Sequence, residues 1–272
     1  MISHSDSKNK TLMMVILNVT PDSFSDGGQF INPTVAIQQV KKMLADGADI
    51  IDIGGESTRP GAKDVSVEDE LNRVVPIIKA IREFSDCLIS VDTSKAVVMR
   101  EAVSAGANII NDVRALQEEH ALETVAELDV PVCLMHMQGQ PRTMQQSPEY
   151  DDVVNDVGQF LLARTKVCEE AGIAKDKILF DPGYGFGKSL EHNYTLVKHL
   201  PSLMKLGYPV LVGMSRKSMI GNLLNRKVDE RLAGSISLAT IVAQMGAQII
   251  RVHDVKETAD AVNIVKMLNS VK

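Results

Sequence analysis

Leu88-Ile-Ser-Val-Asp92 is a short apolar run that ends on a carboxylate, with the hydroxyls of Thr93 and Ser94 directly behind it. The same phrase recurs along the chain. Leu12–Leu17 leads to Asn18, Ile50–Ile53 contains Asp52, Ile109–Asn111 ends on an amide, and Val130–Met135 precedes His136. Ile178–Phe180 precedes Asp181, Val210–Val212 opens onto Gly213-Met-Ser215-Arg-Lys217, and Gln248–Val252 carries Arg251 ahead of His253. Most of these runs are continuously apolar, as parallel strands buried on both faces must be. Period-two alternation is weak, which disfavours an antiparallel sandwich.

Between the runs the apolar spacing turns helical. Val35–Leu44 and Leu71–Ile81 show it, Val153–Val167 marks the longest helix, and Leu196–Met204 reads as the next one. Ser66 and Asp69 predict one helix start, and Asp254 with Glu257 has capping-box spacing at the last. On the strand-to-helix side Asn18–Pro33 and Gly54–Val67 are long and rich in Gly, Pro and Ser, whereas turns on the other side, such as Asp46–Asp49, are short. Long loops on one rim of a rigid scaffold suggest lids over a site. Eight strand–helix repeats in 272 residues predict an α/β fold, a (β/α)8 TIM barrel in a single domain over residues 11–272, behind a flexible N-terminal segment 1–10. An open doubly wound sheet is the main competitor.

Composition narrows the function classes. A formal net charge of −6 argues against general nucleic-acid affinity, which needs a basic face. No apolar stretch is long enough to cross a bilayer, and the polar start lacks a secretion signal's apolar core, so no membrane association and a cytoplasmic location are expected. Cys87, Cys133 and Cys168 are odd in number and widely spaced, which suits a reducing compartment and no metal or catalytic role.

In a barrel the polar strand ends gather at one rim, where such enzymes work. Asp92, Asn111 and Asp181 are then candidates to hold a planar ligand whose N–H donors match carboxylates and an amide. A helix cap is the alternative for Asp92, second to ligand binding, and Asp52 faces the mouth or, the favoured reading, stands behind the site and supports the Gly55–Arg59 turn. Lys217 follows a strand and a glycine without a phosphate-loop motif, so it reads as a donor reaching across the mouth. Arg251 and His253 alternate along one face and, beside Asn18, suggest a diphosphate site where Asn18 offers Mg²⁺ an oxygen. Arg59 adds a second guanidinium from a glycine-bounded loop. His136 reads as a hydrogen-bonded structural histidine, and Gly183, Gly185 and Gly187 as a turn that lets the chain pass close to Phe186.

These stretches, taken together, resemble bacterial dihydropteroate synthases. Asn18-Val-Thr-Pro-Asp-Ser-Phe-Ser-Asp26, Asp52-Ile-Gly-Gly-Glu-Ser-Thr-Arg-Pro-Gly61, Asn111-Asp112, Asp181-Pro-Gly-Tyr-Gly-Phe-Gly-Lys188, Ser215-Arg-Lys-Ser218 and Arg251-Val-His-Asp-Val255 carry the likeness, in family order, from Leu12 to the C-terminus. The resemblance implies a homodimeric β/α barrel that joins 4-aminobenzoate to a dihydropterin diphosphate with Mg²⁺, and whose aminobenzoate site sulfonamides contest. It implies that Asp92, Asn111, Asp181 and Lys217 hold the pterin. Asn18, Arg251 and His253 would hold metal and diphosphate, and Thr58, Arg59, Pro60, Phe186 and Ser215 would surround the aminobenzoate. By the same likeness Arg59, Lys217, Arg251 and His253 are the catalytic candidates. A corrinoid-linked methyltransferase and a non-catalytic pterin-binding protein are the rival readings.

Overall fold

The computed structural model describes residues 11–20, 33–57, 62, 64–139, 144 and 148–271. Segment 1–10 and most of the Asn18–Pro33 loop lie outside the described residues, as do Thr58, Arg59, Pro60 and Gly61 and much of Gln138–Ser147. The strands are β1 (Leu12–Asn18), β2 (Ile50–Gly54), β3 (Leu88–Asp92), β4 (Ile109–Asp112), β5 (Val132–Met135), β6 (Ile178–Asp181), β7 (Leu211–Val212) and β8 (Ile249–Val252). They form one parallel sheet in the order β6-β5-β4-β3-β2-β1-β8-β7. A parallel bridge between Phe180 and Val210 brings its two ends together, so the sheet is a nearly closed barrel. The open-sheet alternative is thereby excluded.

Helices follow the strands: α1 (Pro33–Ala45), α2 (Val67–Arg82), α3 (Ala96–Ser104), α4 (Ala121–Leu128), α5 (Val153–Glu170), α6 (Leu190–Lys198), α7 (Leu200–Met204), α8 (Ser218–Leu224), α9 (Leu232–Gln244) and α10 (Val255–Ser270). Ser66 caps α2 as its spacing predicts, its hydroxyl accepting from Asp69 N at 3.1 Å. Two expectations need correction. Leu196–Met204 is not one helix, because His199 ends α6 and Pro201, which cannot donate to a continuing ladder, starts the next turn. Asp254 is the N-cap residue of α10, as its spacing predicts, but the capping-box bond is absent, since its carboxylate is taken by Arg216. No helix among the described residues is long and apolar enough to cross a membrane.

Register explains why weak alternation in sequence still gives two distinct faces. Met14 pairs with Ile50 and Ile50 with Leu88, while Cys133 pairs with Leu179 and Leu211 with Ile249. These side chains point inward, and Met14, Ile50, Ile109, Cys133, Leu179, Leu211 and Ile249 pack together as a plug inside the barrel. Outward neighbours such as Val15, Ile51, Ile89 and Ile110 join the helices in the larger outer core. Both faces are therefore apolar at the lower rungs. Two residues further along six of the eight strands the inward positions turn polar or small, at Asp52, Ser90, Asn111, Asp181, Gly213 and Arg251, while β1 and β5 keep Ile16 and Met135 there. The plug is the floor on which those groups stand.

A well-packed floor predicts a large penalty for hollowing it. Leu179→Ala is expected to lower unfolding free energy by about 2–5 kcal/mol, against less than about 0.5 kcal/mol for exposed Val97→Ala, measured by urea denaturation. Equal, small losses for both would show that the barrel interior is loosely filled.

Candidate active site

Asn18, Gly54, Asp92 and Asn111 lie on one rung at the carboxyl ends of neighbouring strands. Below them Asp52 is fully buried, with Ser90 as its register partner. Across the mouth Arg251 reaches up from β8 and joins two carboxylates. Its Nε donates to Asp52 Oδ2 at 2.6 Å and an Nη to Asp92 Oδ2 at 2.7 Å. Asn111 Nδ2 donates to the same Asp52 oxygen at 3.4 Å. Burial works against the guanidinium, yet Asp52 and Asp92 hold its pKa above the ordinary value. Burial pushes Asp92 the other way, up to about 7, against the pull of Arg251 and with Asp52 adding repulsion. Asp52 Oδ1 and Ser90 Oγ are buried and have no hydrogen-bond partner among the described residues.

Asp92 caps nothing: the residue ahead of α3 is Lys95, whose N–H donates to Thr93 Oγ1 at 3.2 Å. Its neighbour on the next strand, Asp112, is the structural carboxylate. It is fully buried and accepts from Ser94 Oγ at 2.5 Å, Arg114 N at 2.8 Å and Leu116 N at 2.7 Å, which fixes the turn after β4.

Asp181 ends β6, and its Oδ1 accepts from Gly183 N at 2.7 Å. Burial raises its pKa while Lys217 opposes the rise. Lys217 Nζ donates to Tyr184 O at 2.6 Å and stands 4.6 Å from the centre of the Phe186 ring. Burial pushes its ammonium down to about 8, with Asp181 resisting. The loop that carries Lys217 is braced. Arg216, at φ +58°, donates from Nε to Asp254 Oδ2 at 3.0 Å, and its backbone N–H donates to Ser235 Oγ at 2.9 Å. Ser215 Oγ accepts from His253 N at 3.2 Å and lies 3.1 Å from His253 Nδ1. Ser215 therefore sits against His253.

The structure thus brings together Asp52, Asp92, Asn111 and Arg251 in one hydrogen-bonded group and Ser215 with His253 in another, while Lys217 links to Asp181 by charge and to Phe186 by a cation–ring contact. Electrostatics joins them, because Asp181 and Asp92 both act on Lys217, and Asp181 acts on Arg251. Asn18 stands at the mouth, its Oδ1 3.9 Å from where a Cβ on Gly54 would be. A Cβ on Gly213 would stand 3.7 Å from Arg251 Cβ and 3.9 Å from Lys217 Nζ, so these two glycines keep the hollow between the charged groups wide. Thr58, Arg59 and Pro60 lie outside the described residues. The stems of their loop are held from below: Lys95 pairs with Glu56 and with fully buried Glu70, and Arg73 donates to Gly55 O at 2.8 Å.

Sequence reading missed Lys188, Lys95 and Glu70. Lys188 is buried, and its position at the end of a glycine-spaced turn was the available signal. No group of three or more His, Cys, Asp or Glu residues able to hold a metal occurs among the described residues. An ion here would take little from the protein. An amide oxygen on Asn18 beside a cationic rim fits Mg²⁺ that keeps its waters and arrives with a diphosphate.

The family described as "Pterin binding enzyme" matches residues 14–253. The dihydropteroate synthase of Haemophilus influenzae is 58% identical over 252 residues, covering 93% of this chain and 92% of its own. A crystal structure of the Yersinia pestis dihydropteroate synthase with a sulfonamide drug complex superposes with a TM-score of 0.92 at 56% identity, over 96% of this chain and 95% of that one. The Xanthomonas albilineans dihydropteroate synthase in complex with 7,8-dihydropteroate superposes with a TM-score of 0.88 at 46% identity, over 97% and 95%.

The raised pKa of Asp92 carries a pH signature. Folded Asp92 holds its proton more tightly than the unfolded chain does, so its contribution to stability is lost as pH rises between about 4 and about 7. Asp92→Asn lacks that loss, so the variant's stability relative to wild type should improve across the window. Urea unfolding at about pH 5 and about pH 8 measures it, and a pH-independent difference would place Asp92 in the ordinary carboxylate range.

Proposed function

The chain belongs to the pterin-binding enzyme family, and from that premise we infer that it is a transferase catalysing the dihydropteroate synthase reaction of folate biosynthesis. In that reaction 4-aminobenzoate and 6-hydroxymethyl-7,8-dihydropterin diphosphate give 7,8-dihydropteroate and diphosphate. The observation that carries the reading is the convergence of Asp92, Asn111, Asp181, Lys217 and Arg251 on one barrel mouth. No feature of the described mouth favours the corrinoid-linked or the non-catalytic reading.

The pterin ring presents a row of N–H donors and acceptors. Asp92 and Asp181 accept from the donors, Lys217 donates to ring acceptors, and Asn111 does either. Asp181 and ionised Asp92 act in this low-dielectric hollow and stabilise cationic character that develops on the ring and its methylene as diphosphate departs. His253 and the Arg251 guanidinium, which Asp52 and Asp92 hold across the mouth, face the side where negative charge grows on the leaving group. Asn18 with the diphosphate would hold Mg²⁺, which supplies neutralisation of that charge when bound. The arylamine attacks neutral and sheds its proton afterwards, so no strong base and no protein nucleophile are required. Phe186 and Ser215, with Thr58, Arg59 and Pro60, surround the aminobenzoate, where sulfonamides compete.

The enzyme acts on these small molecules in the cytoplasm as a homodimer. Support for the dimer is an exposed apolar face on α8, α9 and α10, with Leu223, Leu224, Ile241, Ile264, Met267 and Leu268 between 44% and 64% exposed. Such a patch on consecutive helices suits a self-complementary interface.

Mixing pterin diphosphate, aminobenzoate and Mg²⁺ should yield dihydropteroate and diphosphate, and chelation should abolish both. Arg251→Ala should weaken the diphosphate-bearing substrate more than a diphosphate-free pterin by about 2 kcal/mol or more in calorimetry. No product from the wild type, or equal losses for both ligands, would refute the respective assignments. In light scattering the wild type should have twice the chain mass and Met267→Glu should tend to monomer; a monomeric wild type would remove the dimer.

A further inference from the structure

The Gly183–Lys188 segment curls around a single buried ammonium. Gly183, Gly185 and Gly187 stand at φ +70°, +79° and +58°, in the left-handed region. A Cβ on Gly183 would meet His136 O at 1.8 Å and one on Gly187 would meet Gln138 O at 2.4 Å, so the turn tolerates no side chain at either point. Lys188 is 3% exposed, and its Nζ lies 2.9 Å from Gly183 O, 3.0 Å from Phe186 O and 3.0 Å from His136 Nδ1. An ammonium has three N–H donors, and each finds an acceptor here. His136 O is a fourth at 3.4 Å.

The charges around it are consistent with that arrangement. Burial, then the Lys188 charge, pushes His136 down to about 3, so its neutral Nδ1 accepts. Burial also draws Lys188 down to about 7, with Asp181 favouring and Lys217 opposing the charged form. The rest of the turn is fixed by other donors. Tyr150 Oη donates to Gly187 O at 2.7 Å, and Gly185 N donates to Asn193 Oδ1 at 2.7 Å. Between the two carbonyls that Lys188 grips lies Tyr184 O, the acceptor for Lys217, and one gripped carbonyl belongs to Phe186 itself.

We propose that Lys188 is a positioning residue for the coupling reaction: its ammonium holds the 183–187 turn in the form that offers Tyr184 O to Lys217 and presents the Phe186 ring to the aminobenzoate. The proposal rests on the reading of Phe186 and Lys217 as substrate contacts. Lys188 itself touches no substrate. Removing its charge leaves Phe186 O and His136 Nδ1 without the Lys188 donor and leaves Gly183 O only the Phe186 N–H at 3.1 Å, and the turn then relaxes away from the geometry that binds the arylamine.

Lys188→Met keeps the length of the side chain and removes the donors. Assayed well below its own unfolding midpoint, it should raise KM for 4-aminobenzoate about tenfold or more, with kcat at saturation within about threefold of wild type. An unchanged KM in the folded variant, or a fall in kcat with KM untouched, overturns the proposal. If Lys188→Met does not fold, His136→Phe removes one acceptor and should raise the same KM about threefold; an unchanged KM there also overturns it. Wild-type enzyme run alongside separates the two ideas. A wild type that makes no dihydropteroate refutes the functional reading, whereas normal wild-type turnover with unmoved variant KM values refutes the clamp alone.

Discussion

Arg251 bridging Asp52 and Asp92 is the constraint from which the mouth's design follows. Placing two carboxylates at the bottom of a barrel costs several kcal/mol each unless donors meet them, as an order of magnitude. One guanidinium with a fork of donors answers both at once, at 2.6 and 2.7 Å. It can do so because register sets Arg251 level with Met14, Ile50 and Leu88, one inner position below Asp52 and two below Asp92, so its side chain extends upward to both. A Lys at that position would offer a point charge and no fork. The apolar plug beneath, Met14, Ile50, Cys133, Leu179 and their neighbours, keeps water from entering from the far end and so keeps the field of these charges strong.

Much of this architecture was legible in the residues. Continuous apolar runs such as Ile50–Ile53 and Ile109–Asn111 announced buried parallel strands, and the polar residue at each end marked the rim. The physical reason is that a strand buried on both sides has nowhere to place a charge except where it emerges. Asp92, Asn111, Asp181, Lys217 and Arg251 are therefore legible in the sequence as rim residues, and the fold brings them to one mouth. What the residues did not disclose is which partner each would take. Arg251 read as a rim cation beside Asn18 and His253, yet its guanidinium is shared by two carboxylates from β2 and β3. Such pairings depend on barrel stagger, which no single strand encodes.

The errors have a common origin. Asp254 with Glu257 has capping-box spacing, but the αL turn at Arg216 swings a guanidinium into reach and takes the carboxylate. Leu196–Met204 carries unbroken helical periodicity, and Pro201 still divides it. Local pattern yields wherever a neighbour distant in sequence offers a stronger bond or a missing N–H forbids one. Lys188 belongs with these: its glycine-spaced turn is visible in the sequence, but only the curled backbone reveals three acceptors waiting inside.

The Arg216–Asp254 pair and the Ser215–His253 contacts tie the loop after β7 to the loop after β8 at two points. Those loops consequently behave as one mechanical unit. In a chimaera built from two homologous barrels, exchanging either loop alone would leave a mismatched seam, whereas transplanting residues 213–218 together with 253–255 would carry the seam across intact. Modular as β/α barrels are, this one has a joint where the modules come in twos.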